Sequence, residues 1–289
     1  MHPGRIPSGI ILNLSIMMNK EQLLDRLWDH YITQNPSVKT VYDLFIAEGE
    51  EVVNDHIAFR TFDHPRVNID VLSQPFIKVG YVPKGEYHFE AKKLYAKHFE
   101  IPGDPMAPRV FISQLKSDEL SQRVQDTAKN CVDNIPQFLL SSDELIYSGN
   151  PWGTPSYALY EELREESEYA AWLYVNGFQA NHFTVSVNYL KKLDSIQKVN
   201  AFLKDKGFRI NDSGGEVKGT PAELLEQSSI RSEMISVRFE EGVKEIPGCY
   251  YEFARRYPDT DGQLYSGFIA KSADKIFEST DFVGGVKKQ

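Results

Sequence analysis

Asn54-Asp55-His56-Ile57-Ala58-Phe59-Arg60-Thr61-Phe62 alternates in the manner of a β-strand, and residues 180–188, ANHFTVSVN, alternate in the same way. Each stretch opens on a histidine preceded by Asp or Asn. The likeness continues beyond the strands. His56 to Phe76 and His182 to Phe202 are both steps of 20 residues, and each ends inside a stretch of helical pattern, 68–79 and Lys192–Lys206. Gly80-Tyr81 closes the first helix 24 residues after its histidine, and Gly207-Phe208 closes the second 25 residues after. Extended stretches follow each helix, at about Glu86–Phe99 and Arg109–Gln114, then at about Ile235–Phe239 and Tyr250–Tyr257. Self-similarity at fixed offsets is what internal duplication leaves behind.

Working outward, the spacing predicts an N-terminal helix from Asn19 with Leu23, Leu24, Leu27, Trp28 and Tyr31 on one face, stopped by Asn35-Pro36. A short helix is expected over Val38–Ala47 and longer ones over Ser117–Val132 and Tyr157–Tyr174, the last two separated by the turn-rich Ser148–Gly153. The expected organisation is one α+β catalytic domain over 19–289. Two repeats, about 50–116 and 178–258, flank a helical insertion at about 117–177. Residues 1–18 are read as a disordered or mis-called N-terminal extension. Their apolar run is broken by Asn13 and Ser15 and lacks a small-residue cleavage site.

Composition narrows the function classes. Thirty-two Lys and Arg against 41 Asp and Glu give a net charge of -9, which disfavours a nucleic-acid partner, because phosphate binding needs clustered cations. Cys131 and Cys249 cannot build a disulfide framework or a zinc ribbon, and a reducing, cytoplasmic setting is expected. No stretch approaches the roughly 20 apolar residues of a membrane span. Walker loops, G-x-S-x-G elbows and dinucleotide fingerprints are missing from the sequence.

Strand periodicity collects the chemistry. One face of the first strand carries His56, Ala58, Arg60 and Phe62, and one face of the second carries His182, Thr184, Ser186 and Asn188. The last strand offers Tyr250, Glu252, Ala254 and Arg256. Buried polar groups need partners, and a metal ion is one. Two His and one Glu from three strands match the facial triad of non-haem Fe(II), with Mn, Co, Ni or Zn as fallbacks. Arg60 could grip a substrate carboxylate or pair with an acid of the chain, and Glu252 could pair with Arg255 or Arg256. His64 looks like a turn residue, and His88 and His98 are weaker alternates.

Together, DHIAFRTF, NHFTVSVN and the terminal GCYYEFARRY resemble the 2-oxoadipate dioxygenase/decarboxylase family over about residues 20–280. The resemblance implies a duplicated β-α-β-β-β, vicinal-oxygen-chelate-like sheet around a metal site. It implies Fe(II) held by His56, His182 and Glu252, and a catalytic, substrate-gripping Arg60. It also implies conversion of 2-oxoadipate and dioxygen to 2-hydroxyglutarate and carbon dioxide. The family's closing segment falls on Phe268–Phe277, which makes Lys271 and Ser272 candidate substrate contacts, with Lys271 standing where an apolar residue is usual. The expected partners are therefore a small 2-oxo acid and dioxygen, with neither nucleic acid nor membrane. Two other classes stay open: a Zn- or Ni-dependent lyase or isomerase on the same architecture, and a metal-free binding module with structural histidines.

Overall fold

Two copies of one strand–helix–three-strand unit lie edge to edge in a single curled sheet. The computed structural model describes residues 18–269, so all but the last residue of the expected N-terminal extension lies outside the described residues. Two helices lead in, α1 (Lys20–Gln34), with Asn19 and Gln22 forming a capping box, and α2 (Pro36–Ala47). Pro36 opens α2 instead of merely stopping α1, because a first-turn N–H needs no helical partner. The first unit is β1 (Asn54–Phe62), α3 (Ile69–Leu72), α4 (Gln74–Lys78), β2 (Val82–Phe89), β3 (Leu94–Glu100) and β4 (Arg109–Leu115). The helical insertion follows as α5 (Gln122–Asp133), α6 (Gln137–Leu140), α7 (Tyr157–Glu166) and α8 (Glu168–Asn176). The second unit is β5 (Ala180–Ser186), α9 (Ile196–Asp205), β6 (Lys218–Thr220), β7 (Leu225–Ser229) and β10 (Tyr250–Arg256), with a hairpin of β8 (Met234–Phe239) and β9 (Gly242–Pro247) inserted before β10.

The sheet order is β2-β3-β4-β1-β5-β10-β7-β6, so the two halves mirror each other about the central β1–β5 pair. β1 runs parallel to β4, and β5 parallel to β10, while β1 and β5 meet antiparallel. This is the expected duplicated, vicinal-oxygen-chelate-like α+β architecture. On one face, Ile57, Phe59, Phe183, Val185, Tyr251 and Phe253 are buried. The lead-in helices cover part of that face: Trp28 and Tyr31 of α1 meet the Phe183 ring, and Phe45 of α2 meets Phe253. Burial of such side chains contributes about 1.5–3 kcal/mol each. The other face holds the polar residues.

Several elements differ from their expected bounds. The 68–79 helix breaks at Ser73 into α3 and α4, because Pro75 within the first turn of α4 starts a new helix. The 86–99 stretch is a hairpin of β2 and β3, turned by Lys93 in the left-handed region at φ 55°. The helices expected at 117–132 and 192–206 begin later, where Ser121 and Ser195 accept backbone N–H bonds as caps. The 157–174 helix is two, since Ser167 leaves helical geometry to cap α8. Asn188 lies beyond β5 in a 3-10 turn, not on the strand. Residues 235–239 belong to the separate β8–β9 ribbon, and the strand that pairs with β10 is β7. Gly177 turns the chain from α8 into β5 at φ 63°, and a Cβ there would fall 2.1 Å from the Gly149 carbonyl oxygen.

Candidate metal centre

His56 and His182 face each other because β1 and β5 pair so that His56 opposes Thr184 and Ala58 opposes His182. Glu252 joins them because β10 runs beside β5 with Glu252 level with Thr184. The ligand-capable atoms of the three residues all lie within 4.8 Å of one another. His182 Nε2 is 3.3 Å from His56 Nε2 and 3.2 Å from Glu252 Oε2, and His56 Nε2 is 3.7 Å from Glu252 Oε1. Exposure of the three is 2, 4 and 0 %. β10 lies between β5 and β7, so Glu252 is central and not the edge-strand ion pair that its neighbours Arg255 and Arg256 suggested.

Each of the three is oriented by a partner. Asp55 Oδ1 is 2.8 Å from His56 Nδ1, and Asn181 Oδ1 is 3.0 Å from His182 Nδ1. Both oxygens accept, which places the ring hydrogens on Nδ1 and turns both Nε2 lone pairs toward Glu252. Gln227 Nε2 donates to Glu252 Oε1 at 2.5 Å, and the Thr184 hydroxyl lies 3.1 Å from His56 Nε2. Burial pulls both imidazoles below their usual range, His182 well below it, although Asp55 opposes the shift at His56. Burial likewise pushes Glu252 up to about 8, with the Gln227 hydrogen bond acting against it. Glu252 Oε2 has no hydrogen-bond partner among the described residues. Neutral imidazoles beside a carboxyl group that cannot easily ionise form a donor set completed by a cation, so a divalent metal fits.

The polar surround extends on both sides. Arg256, 2 % exposed, holds Asp55 with Nε at 2.7 Å and Nη2 at 2.9 Å, and donates from Nη1 to the carbonyls of Tyr265 and Gly267. Burial alone would raise Asp55, but Arg256 and the His56 bond hold it well below the usual carboxylate range. Those carbonyl bonds set the following Phe268, whose ring meets His56 edge-on at 4.8 Å and Phe111 at 4.9 Å. On the other side, Tyr250 stacks on His182 at 4.7 Å. Burial raises its hydroxyl well above 10; Glu252 raises it further and Arg60 opposes, so the hydroxyl is within electrostatic reach of both.

Arg60 is 1 % exposed and bonds Glu168 through Nη1 at 3.1 and 3.2 Å, with the rings of Tyr169 and Trp172 4.8 and 4.9 Å from its guanidinium carbon. It has an acid of the chain as partner and also borders the centre. His98 is buried against Tyr87 and Glu100, His64 accepts from the Arg66 N–H, and His88 is exposed. None of these three joins the cluster. Lys271 and Ser272 lie outside the described residues. The sequence reading missed Gln227 altogether; it placed Tyr250 only on the Glu252 face, offered Arg256 as a partner of Glu252 where the structure pairs it with Asp55, and placed Phe268 only in the closing segment. Asp55 and Asn181 did carry a signal, the repeated acid or amide before each histidine.

Known proteins are similar to this chain in sequence and fold. The profile of a family described as 2-oxoadipate dioxygenase/decarboxylase matches residues 23–148 and 144–260. The chloroplastic 2-oxoadipate dioxygenase/decarboxylase of Arabidopsis thaliana is 38% identical over 275 residues, 86% of this chain and 74% of that protein. The crystal structure of hydroxyglutarate synthase from Oryza sativa, in complex with 2-oxoadipate, is 33% identical with a TM-score of 0.82, covering 96% of this chain and 98% of that one. A Shewanella frigidimarina structure, provisionally named a hydrolase, is 48% identical with a TM-score of 0.83, covering 88% and 98%.

Proposed function

Because the chain belongs to the 2-oxoadipate dioxygenase/decarboxylase family, we propose that it converts 2-oxoadipate and dioxygen to 2-hydroxyglutarate and carbon dioxide at an Fe(II) ion held by His56, His182 and Glu252. The observation that carries this reading is the convergence of those three buried side chains from both halves of the sheet. Two imidazoles and one carboxylate without thiolate suit iron and leave coordination positions for substrate and dioxygen. When bound, the iron supplies the dioxygen chemistry that no side chain here can provide.

The protein supplies binding, orientation and exclusion of water. Asp55 and Asn181 hold the Nδ1 hydrogens of the two histidines, and Gln227 fixes Glu252. Arg60 takes the distal carboxylate of the 2-oxo diacid, a charge-assisted contact that a monocarboxylate lacks. Phe111 and Phe268 form an apolar front beside His56. Lys271 and Ser272 are further substrate contacts. The working unit is one catalytic domain over 19–289 built from its two repeats. Free, buried Cys131 and Cys249 support a reducing, cytoplasmic setting, and the Arabidopsis relative is named chloroplastic. Among the described residues, no helix is long and apolar enough to cross a membrane.

The test is oxygen uptake by protein loaded anaerobically with Fe(II), on addition of 2-oxoadipate, 2-oxoglutarate or pyruvate. Uptake with 2-oxoadipate, matched mole for mole by carbon dioxide and 2-hydroxyglutarate, is expected. Stoichiometric metal with no uptake for any 2-oxo acid would overturn the reading and favour an oxygen-independent lyase or isomerase. Arg60→Ala is expected to retain the metal and to lose affinity for diacids selectively.

A further inference from the structure

Two side chains beside Arg60 bury hydrogen-bond donors that have no partner among the described residues. Tyr250 is 0 % exposed and its hydroxyl has no partner; Trp172 is 3 % exposed and its indole N–H has none either. An unmet buried donor is a cost to the fold, and at position 250 Phe would keep the packing without it. The two belong to different elements, β10 and α8, yet both border the same guanidinium. The Arg60 carbon lies 4.9 Å from the Trp172 ring. Tyr250 shares the site face with Arg60, its ring stacked on His182 at 4.7 Å and its hydroxyl within electrostatic reach of the Arg60 charge.

Resting on the reading of the centre given above, we propose that the Tyr250 hydroxyl and the Trp172 indole N–H are substrate-binding donors that, beside Arg60, receive the distal carboxylate of the 2-oxo diacid. A carboxylate offers about four lone-pair sites, enough for a guanidinium fork and two further donors. Its arrival satisfies both unmet groups at once. Selectivity for diacids thereby rests on geometry as well as on charge.

Tyr251 shows why an unpaired hydroxyl alone does not make a site. Its hydroxyl is also unpartnered, but it sits on the opposite, helix-covered face, with its ring 5.9 Å from Trp28 and 5.7 Å from Phe253. Among the described residues burial and Tyr42, not a cation, act on that hydroxyl, and it serves as an internal control.

The experiment compares Tyr250→Phe, Trp172→Phe and Tyr251→Phe with the wild type in the Fe(II)-loaded protein. KM is measured for 2-oxoadipate and for 2-oxohexanoate, which has the same chain length without the distal carboxylate. Bound iron and the thermal midpoint of the metal-free protein are measured alongside. Tyr250→Phe should retain iron, keep or raise the midpoint, and raise KM for 2-oxoadipate by roughly 10- to 100-fold, the range of a hydrogen bond to a charged group. Its KM for 2-oxohexanoate should not change. Trp172→Phe should move in the same direction, and Tyr251→Phe should leave both KM values unaltered. Unchanged KM for 2-oxoadipate in the first two variants would overturn the proposal, as would equal losses for both acids, which would assign the hydroxyl to the 2-oxo end. A wild type that binds metal but does not consume 2-oxoadipate would overturn the functional reading, and this proposal with it.

Discussion

The two halves of the sheet share one topology but not one chemistry. β1 and β5 occupy equivalent places, and so do β4 and β10. His56 corresponds to His182, yet Phe111, level with Ala58, stands where Glu252 stands level with Thr184. The first half therefore offers one donor and the second offers two. Before the histidine the halves differ again. Asp55 is locked to Arg256, while Asn181 carries no charge and leaves its Nδ2 without a partner. Duplication supplied a symmetric frame, and divergence made one half an apolar front and the other the anionic ligand.

The sharpest way to break this comparison is to move the ligand. Glu252→Ala should reduce bound iron by at least about tenfold, since a buried partner of this kind is worth several kcal/mol. Adding Phe111→Glu should return measurable iron, read by atomic absorption, because the register puts position 111 at the symmetry-related place. A double variant as empty as the single one would show that the frames are equivalent in topology alone.

A second contrast concerns the residues behind the histidines. Asp55→Ala strands a buried Arg256 and should cost about 3–5 kcal/mol of stability, measured by denaturant unfolding. Asn181→Ala removes a neutral hydrogen bond and should cost about 1 kcal/mol. Both should weaken metal binding by roughly 10- to 100-fold, through loss of ring orientation. Equal stability losses would remove the assigned difference between the halves.

The smallest effect is one of pH. Glu252 has a folded pKa of about 8 against 4.5 for a free carboxyl, so the folded protein binds its proton more tightly than the unfolded chain does. Its contribution to the stability of the metal-free protein is complete below pH 4.5 and declines as pH rises through 8. With metal bound the trend at this group reverses, because the ligand must be ionised. Thermal midpoints with and without metal should therefore draw apart between pH 6 and pH 9, the metal-free one falling, and parallel profiles would contradict the linkage.

How far the sequence revealed this depended on whether each strand alternates in residue type. β1, β5 and β10 were legible because a histidine or glutamate sits in an alternating pattern that the helix-covered face imposes. β7 was not, because Leu225–Ser229 carries four polar residues in a row after Leu225, with partners found inside the fold: Gln227 with Glu252, and Ser228 with Asn200 at 2.7 Å. Such a run shows no alternation of apolar and polar residues to read. The β8 stretch alternates properly and was assigned to the wrong sheet, since periodicity says nothing about the pairing partner. Arg60 and Glu168, 108 residues apart, were likewise beyond reach of spacing.

The central β1–β5 seam has a practical consequence. One ligand stands before it in the chain and two stand after it, so an ion bound at the centre stitches the halves together. Cut in the exposed turn at Gly153, the polypeptide would become two fragments whose reunion along that seam an ion binding only the joined state would favour. The same geometry that makes an enzyme would then report free metal.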